Sequence, residues 1–138
     1  MQSTAAVLKS FVESFGYPDK VLAHLTDNAV WTLHTGSQEP GGTYKGKQAI
    51  AGLMNNVFGG IYQPESCAVD IQQLIADDNQ ASVRFTLSAT ATWGAKYSNV
   101  YAIFVSINEG KINECFEFLD SNAAVEQLAA DAPAELST

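Results

Sequence analysis

Hydrophobic residues recur at helical spacing in the first part of the chain. The first set follows an i, i+3, i+4, i+7 pattern and consists of Leu8, Phe11, Val12 and Phe15. Ser3 or Thr4 can cap this helix, and Gly16 can end it. A second set, Val21, Leu22 and Leu25, follows Pro18, and a third, Ile50, Leu53, Met54 and Val57, lies within 47–58 before two glycines. The spacing predicts three amphipathic helices, with the first two forming a hairpin.

The pattern then changes to short β-prone runs. Residues 29–34 are β-branched and aromatic and predict one strand, which enters a loop rich in Gly from 36 to 46. Four longer runs follow the third helix, separated by short turns: 67–76, 81–93, 97–107 and 112–119. Consecutive strands with short turns predict an antiparallel meander. Ser121 can cap a last short helix that ends at Leu128.

Helices followed by a run of hairpin strands predict an α+β fold, with the helices packed on one face of the sheet. A chain of 138 residues with 46% hydrophobic content is expected to form one domain, assigned here to residues 1–128. Residues 129–138 contain Pro133 and few large apolar groups, and we expect a flexible tail. No linker or repeat divides the chain.

Charge and short motifs exclude several classes of function. The net charge is −8, and the seven Lys and Arg residues are scattered, so nucleic acid and anionic membranes are poor partners. The two cysteines, Cys67 and Cys115, have no metal-ligand spacing and are expected to be free thiols. Neither a secretory signal nor a long apolar run is evident, which predicts a cytoplasmic protein. Motifs for nucleotide, zinc or serine-hydrolase chemistry are missing, so any reaction is expected to need no cofactor and no metal.

Several short segments, taken in order, carry a family resemblance. They are Trp31 on the first strand, Gly-x-Tyr-x-Gly at 42–46, the set Gly94, Tyr97, Asn99 and Tyr101, the segment Gly110-Lys-Ile112, and Glu117-Phe-Leu-Asp120. Together they resemble the SnoaL-like, ketosteroid-isomerase-like branch of the nuclear-transport-factor-2-like superfamily. The resemblance implies a cone-shaped barrel, a homodimer, and a pocket for a small hydrophobic molecule. This scaffold carries isomerases, cyclases, epoxide hydrolases, dehydratases and non-catalytic binders, so the fold alone does not fix the function.

Three residues are candidate acid–base groups. Strand alternation puts Glu117 on one face with Cys115, and the resemblance implies that this acid points into the pocket, where burial would raise its pKa. Pairing with Arg84 is the structural alternative. Asp120 is a second candidate acid, although a helix cap is the stronger interpretation. His34 could replace the base that ketosteroid isomerases carry at the end of the first strand, but alternation favours an outward position for it.

Eight further residues are candidates for substrate binding. Arg84 interrupts an apolar strand and would meet a carboxylate or an anionic ligand, unless it lies exposed on the outer face. In epoxide-hydrolase relatives an aspartate stands where this chain has Thr86, so that reaction is not expected. Asn99 and Tyr101 could donate hydrogen bonds to a ligand oxygen, or lie at a dimer interface. The remaining candidates are expected at the cavity wall or in the core: Trp31, Tyr44, Met54 and Phe58, with Trp93 and Phe104 as further wall residues.

These observations predict a small-molecule pocket protein. As an enzyme it would be an isomerase, cyclase or dehydratase that acts by acid–base catalysis on a hydrophobic, oxygen-bearing substrate. The alternative is a non-catalytic binder of a small hydrophobic ligand, or a structural dimer module.

Overall fold

A computed structural model describes residues 3–35, 40–129 and 132 of the chain. Within them, four helices accompany one six-stranded sheet. The helices are α1 (Thr4–Glu13), α2 (Pro18–Ala23), α3 (Lys47–Val57) and α4 (Ser121–Leu128). The strands are β1 (Leu25–His34), β2 (Gly42–Lys45), β3 (Ala68–Ala76), β4 (Gln80–Thr90), β5 (Lys96–Asn108) and β6 (Lys111–Leu119). The predicted α+β class is confirmed.

The sheet is mixed and has the order β2-β1-β6-β5-β4-β3. Strands β3 to β6 form the predicted antiparallel meander. The first strand, β1, pairs in parallel with the last, β6, and this places Leu33 beside Glu117. The ends of the domain therefore meet at the centre of the sheet.

Alternation gives the sheet an inner and an outer face. Val83, Phe85 and Leu87 of β4 are buried on the inner face, against the helices, whereas Arg84 between them is exposed. The inner side chains of β5 and β6 continue the same layer, and the buried face of α1 packs over β3 and β4. The hydrophobic core therefore lies between the helices and one face of the sheet.

The start and end of α1 follow from its sequence. The Ser3 hydroxyl accepts a hydrogen bond from the Ala6 N–H at 3.1 Å and so caps the helix. After the helix, Gly16 has a φ of +108°, and a Cβ at this position would lie 2.9 Å from the Cβ of Cys67. A glycine is required there both by the backbone conformation and by the contact with Cys67.

Four predictions about the strands and the barrel are corrected. Strand β1 begins at Leu25, which was assigned to the second helix, because a bulge between Leu25 and Val30 interrupts the alternation. The expected loop contains strand β2, and β4 ends at Thr90 rather than at residue 93. The barrel is not closed, because β2 and β3 are free edges of the sheet.

Two predicted segments lie partly outside the described residues. Residues 36–39 of the loop, and 130, 131 and 133–138 of the expected tail, lie outside them. Cys67 and Cys115 are free thiols, half-buried and buried respectively. Among the described helices, none has both the length and the apolar character needed to cross a bilayer.

Candidate functional site

A cavity of about 680 Å³ opens between the inner face of the sheet and the helices. Most of its wall is apolar and comes from the turn after α1, from α3 and α4 and from the strands β1, β4, β5 and β6, with contributions from Phe15, Leu33, Met54, Phe58, Leu87 and Leu128. Pockets of this volume accommodate ring-sized organic molecules. Among the residues that the structure describes, Glu117 is the one charged side chain that lines the cavity.

Glu117 reaches the cavity because it lies on the inner face of β6. Its side chain is 9% exposed, and its Oε1 accepts a hydrogen bond from the Trp31 Nε1–H at 2.9 Å. Burial raises the pKa of Glu117 from 4.5 to about 7, and the bond from Trp31 partly opposes this rise. The carboxyl group can therefore gain and lose a proton near neutral pH, as a general acid or base must.

Trp31 is held rigidly beside this acid. It is 1% exposed and lies on β1, where its backbone is opposite Cys115 of β6. The rings of Phe11 and Phe15 pack against the indole at centroid distances of 5.5 and 5.9 Å. The parallel pairing of β1 with β6 and the packing of α1 thus fix the direction of the Nε1–H toward Glu117.

Three tyrosine hydroxyls form a second polar group in the cavity. The hydroxyls of Tyr97 and Tyr101, on the inner face of β5, are 2.6 Å apart, and that of Tyr62 adjoins both. Burial raises the pKa of all three phenols, and the charge of Glu117 contributes to the rise for Tyr97 and Tyr101. These groups therefore stay protonated and can donate hydrogen bonds to a ligand oxygen.

Asn99 lies behind the tyrosines and organises them. Its Oδ1 accepts the Val100 N–H at 2.9 Å, and this bond fixes which end of the amide points inward. Its Nδ2 donates to the Tyr97 hydroxyl at 3.0 Å and to the Asp120 carbonyl at 2.9 Å. Asn99 is buried but does not line the cavity, so it contacts the lining residue Tyr97 and not the space that a ligand would fill.

Two candidate acid–base residues have other positions. The Asp120 carboxylate is exposed and caps α4 by accepting the Ala123 N–H at 3.0 Å, in agreement with the cap interpretation. His34 lies on the outer face, where its ring stacks on Phe118 at a centroid distance of 4.2 Å. Neither side chain lines the cavity, so the position of each agrees with its non-catalytic interpretation and does not support a catalytic role there.

Several candidate binding residues are also outside the cavity. Arg84 is exposed on the outer face, and Thr86 on the same face accepts a hydrogen bond from the Gln72 Nε2 at 2.8 Å. Because alternate strand residues share a face, neither can contact a ligand in the cavity, and Arg84 cannot pair with Glu117. Tyr44 packs against the core opposite Trp31 without lining the cavity, and Phe104 is 51% exposed on the outer face.

The other candidates lie in the wall of the cavity: Trp31, Met54, Phe58, Trp93 and Tyr101. Sequence reasoning missed Tyr62, a buried residue that follows Gly59-Gly60 in an irregular segment, where isolated backbone bridges join it to Phe58 and Ala91. It also missed the contribution of α4, which lines the cavity with Ser121, Ala124, Val125 and Leu128. In the described part of the chain, no group of three or more His, Cys, Asp or Glu residues is arranged to hold a metal ion.

Comparison with known proteins gives a consistent result. The profile of the SnoaL-like domain matches residues 12–115. No curated protein matches the chain significantly. Three similar solved structures show the same fold, which agrees with the resemblance found in the sequence.

The first is a Catenulispora acidiphila protein with a ketosteroid isomerase-like fold, in complex with trimethylamine (11% identity, 97% of this chain, 98% of the other, TM-score 0.74). The second is TerC, co-crystallised with polyporic acid (16% identity, 90% and 96%, TM-score 0.76). The third is a Pseudomonas putida protein described as a candidate polyketide cyclase (20% identity, 92% and 98%, TM-score 0.74). At these identities the likeness concerns the fold.

Proposed function

Because the chain belongs to the SnoaL-like family, we propose that its cavity binds a small, hydrophobic, oxygen-bearing molecule and that Glu117 transfers a proton on it without a cofactor. The observation that carries the proposal is the buried Glu117 carboxyl group, with a pKa of about 7, in the wall of an otherwise largely apolar cavity. The reaction class is isomerisation, cyclisation or dehydration.

In the proposed chemistry, Glu117 and the tyrosine hydroxyls have separate roles. The Glu117 carboxylate takes a proton from a carbon next to a carbonyl group of the ligand. The electron pair of that C–H bond moves onto the carbonyl oxygen, where a tyrosine hydroxyl of the cluster donates a hydrogen bond to the developing negative charge. The protonated Glu117 then returns the proton to another carbon, or to a hydroxyl that leaves as water.

The surroundings of the carboxyl group support this division. The Trp31 N–H satisfies Oε1 of Glu117 at 2.9 Å. The tyrosine hydroxyls are close enough to Glu117 for its charge to raise the pKa of Tyr97 and Tyr101. The binding of polyporic acid by TerC, a protein of similar fold, supports an oxygen-bearing aromatic ligand for this cavity.

A non-catalytic binder is the second candidate. It is favoured by the end of β1, where Leu33 lines the cavity and His34 faces outward, so β1 itself supplies no acid or base there. Glu117 is then a single acid, and reactions that need two charged groups are excluded for the described lining. In this case the carboxyl and hydroxyl groups would only orient the ligand.

Glu117→Gln separates the two candidates, with Glu114→Gln as the matched control. Glu114 lies on the outer face of the same strand and does not line the cavity, so its substitution removes one carboxylate without altering the site. Ligands would first be identified by mass spectrometry of the purified protein and by thermal shift with a panel of quinones, polyketides and steroids.

For the proposed enzyme, exchange of the ligand's acidic C–H with deuterated water should be rapid in the wild type and the control, and should fall by at least about 10²-fold in Glu117→Gln. Retained exchange in Glu117→Gln would exclude this residue as the acid–base group. Binding without exchange in the wild type would favour the binder.

We further propose a homodimer that uses the outer face of the sheet. Val100, Phe104 and Phe118 are 48%, 51% and 40% exposed there, which is unusual for neighbouring large apolar side chains. These apolar side chains form a surface that a two-fold contact would bury. Light scattering coupled to size-exclusion chromatography should give twice the chain mass, and Phe104→Asp should give a monomer. A monomeric wild type at micromolar concentration would refute the dimer.

A further inference from the structure

Helix α4 forms part of the cavity wall although none of its residues is buried. Ala124 and Leu128 are half-buried and Val125 is 43% exposed, yet all three line the cavity. Helix α1, in contrast, buries four large or branched apolar residues in the core. An element with so few buried apolar contacts belongs to the parts of a protein that open most easily.

The side chain of Gln127 attaches the C-terminal half of α4 to the sheet. Its Oε1 accepts the Ser98 N–H at 2.7 Å, and its Nε2 donates to the Ser98 carbonyl at 2.9 Å. Ser98 lies where β5 continues beyond β6, whose last pair is Leu119 with Tyr101. The Gln127 amide therefore fills the position that a further residue of β6 would occupy.

The start of α4 is attached differently. The Asp120 side chain caps the helix, and the Asp120 carbonyl accepts a hydrogen bond from the buried Asn99 at 2.9 Å. Asn99 is itself fixed by the backbone of Val100. The helix is thus held at its N-cap, Asp120, and near its end by the Gln127 amide together with the partial packing of Ala124 and Leu128 against the core.

We infer that α4 is a lid over the cavity, with Asp120 as the hinge and the Gln127 amide on Ser98 as the latch. The inference rests on the proposed function, because a lid has a role only if the cavity takes up a ligand. When the latch opens, water can satisfy both backbone groups of Ser98, so the net loss is much smaller than two hydrogen bonds in isolation. The latch therefore holds the closed state and still releases readily.

The lid can be tested with Gln127→Ala and the neutral fluorophore Nile red. The matched control is Glu126→Ala, on the same helix, whose side chain is exposed and does not line the cavity. In stopped-flow fluorescence, removal of the latch should raise both the association and the dissociation rate by about tenfold, because two net hydrogen bonds are worth roughly this factor. The dissociation constant should change by less than about threefold, since free and bound protein are both closed.

Two results would overturn the lid. If Gln127→Ala accelerates dissociation alone, α4 is a fixed wall that contacts the ligand; if its rates match those of Glu126→Ala, the latch has no role. Hydrogen exchange provides a second measurement that needs no ligand: the α4 amides should exchange about tenfold faster in Gln127→Ala, with β5 unchanged. A wild type that does not bind Nile red counts against the proposed cavity, and the lid is then decided by hydrogen exchange, where equal rates refute it.

Discussion

Ionisation of Glu117 should make the stability of the protein depend on pH. The folded state raises the pKa of this carboxyl from 4.5 to about 7 through burial. A pKa that is higher in the folded state means that the folded protein binds the proton more tightly. The corresponding stabilisation is complete below about pH 4.5 and is lost as the pH rises through about 7.

The expected magnitude follows from the same values. Each pKa unit corresponds to about 1.4 kcal/mol, so ionisation of Glu117 costs the folded state about 3 kcal/mol. In Glu117→Gln this cost is absent at every pH. The wild type should therefore lose about 3 kcal/mol of unfolding free energy relative to the variant between about pH 4 and about pH 8.

Urea denaturation followed by tryptophan fluorescence would measure this difference at several pH values. Comparison with the variant is needed because the chain carries a net charge of −8, and its other acids also affect the wild-type curve. Glu114→Gln controls for the loss of one carboxylate and should follow the wild type. If the free energy of unfolding depended on pH in the same way for the wild type and Glu117→Gln, the raised pKa would be refuted. The proposed proton transfer near neutral pH would then be refuted as well.

Three other substitutions test the site and its surroundings. Trp31→Phe removes the N–H that bonds to Glu117, so the carbon-13 shift of the labelled carboxyl should titrate at a higher pH than in the wild type; an equal or lower midpoint would contradict the role of the bond. Phe85→Ala should lower the free energy of unfolding by about 3 to 5 kcal/mol in chemical denaturation, because Phe85 is fully buried and stacks on Tyr101 at a centroid distance of 5.3 Å. A similar loss for Phe104→Ala, at an exposed position and measured on monomeric protein, would contradict the assignment of the two faces. Arg84→Ala should change the ligand dissociation constant by less than about twofold, because its side chain is on the outer face. An increase of about tenfold in that constant, measured by calorimetry, would show that Arg84 contributes to the binding site.

The inner layer of the site was predictable because it depends on alternation. Glu117 and Tyr101 lie on strands whose apolar residues define the buried face, so their direction follows from their neighbours. The same alternation gives the direction of the Arg84 side chain, because Arg84 lies between Val83 and Phe85 and must face away from both. The sequence thus contained enough information to exclude Arg84 from the cavity.

Other parts of the fold have no such periodic signal. Strand β2 has no buried residue and pairs along one edge of the sheet, so it resembles the loop around it in composition. The bulge after Leu25 hides the start of β1. Tyr62 owes its position to tertiary contacts with Phe58 and Ala91, and these arise only when the segments are folded together.

The hydrogen bond between Trp31 and Glu117 joins residues 86 positions apart in the chain. During synthesis, β1 leaves the ribosome long before β6, its parallel neighbour, has been translated. The acid and its tryptophan donor can meet only after nearly all of the domain has emerged, and such distant pairing is typical of slow folding. A nascent chain that stalls before residue 117 would expose one flank of β1 and lack the acid, so no partly translated form could carry the proposed activity.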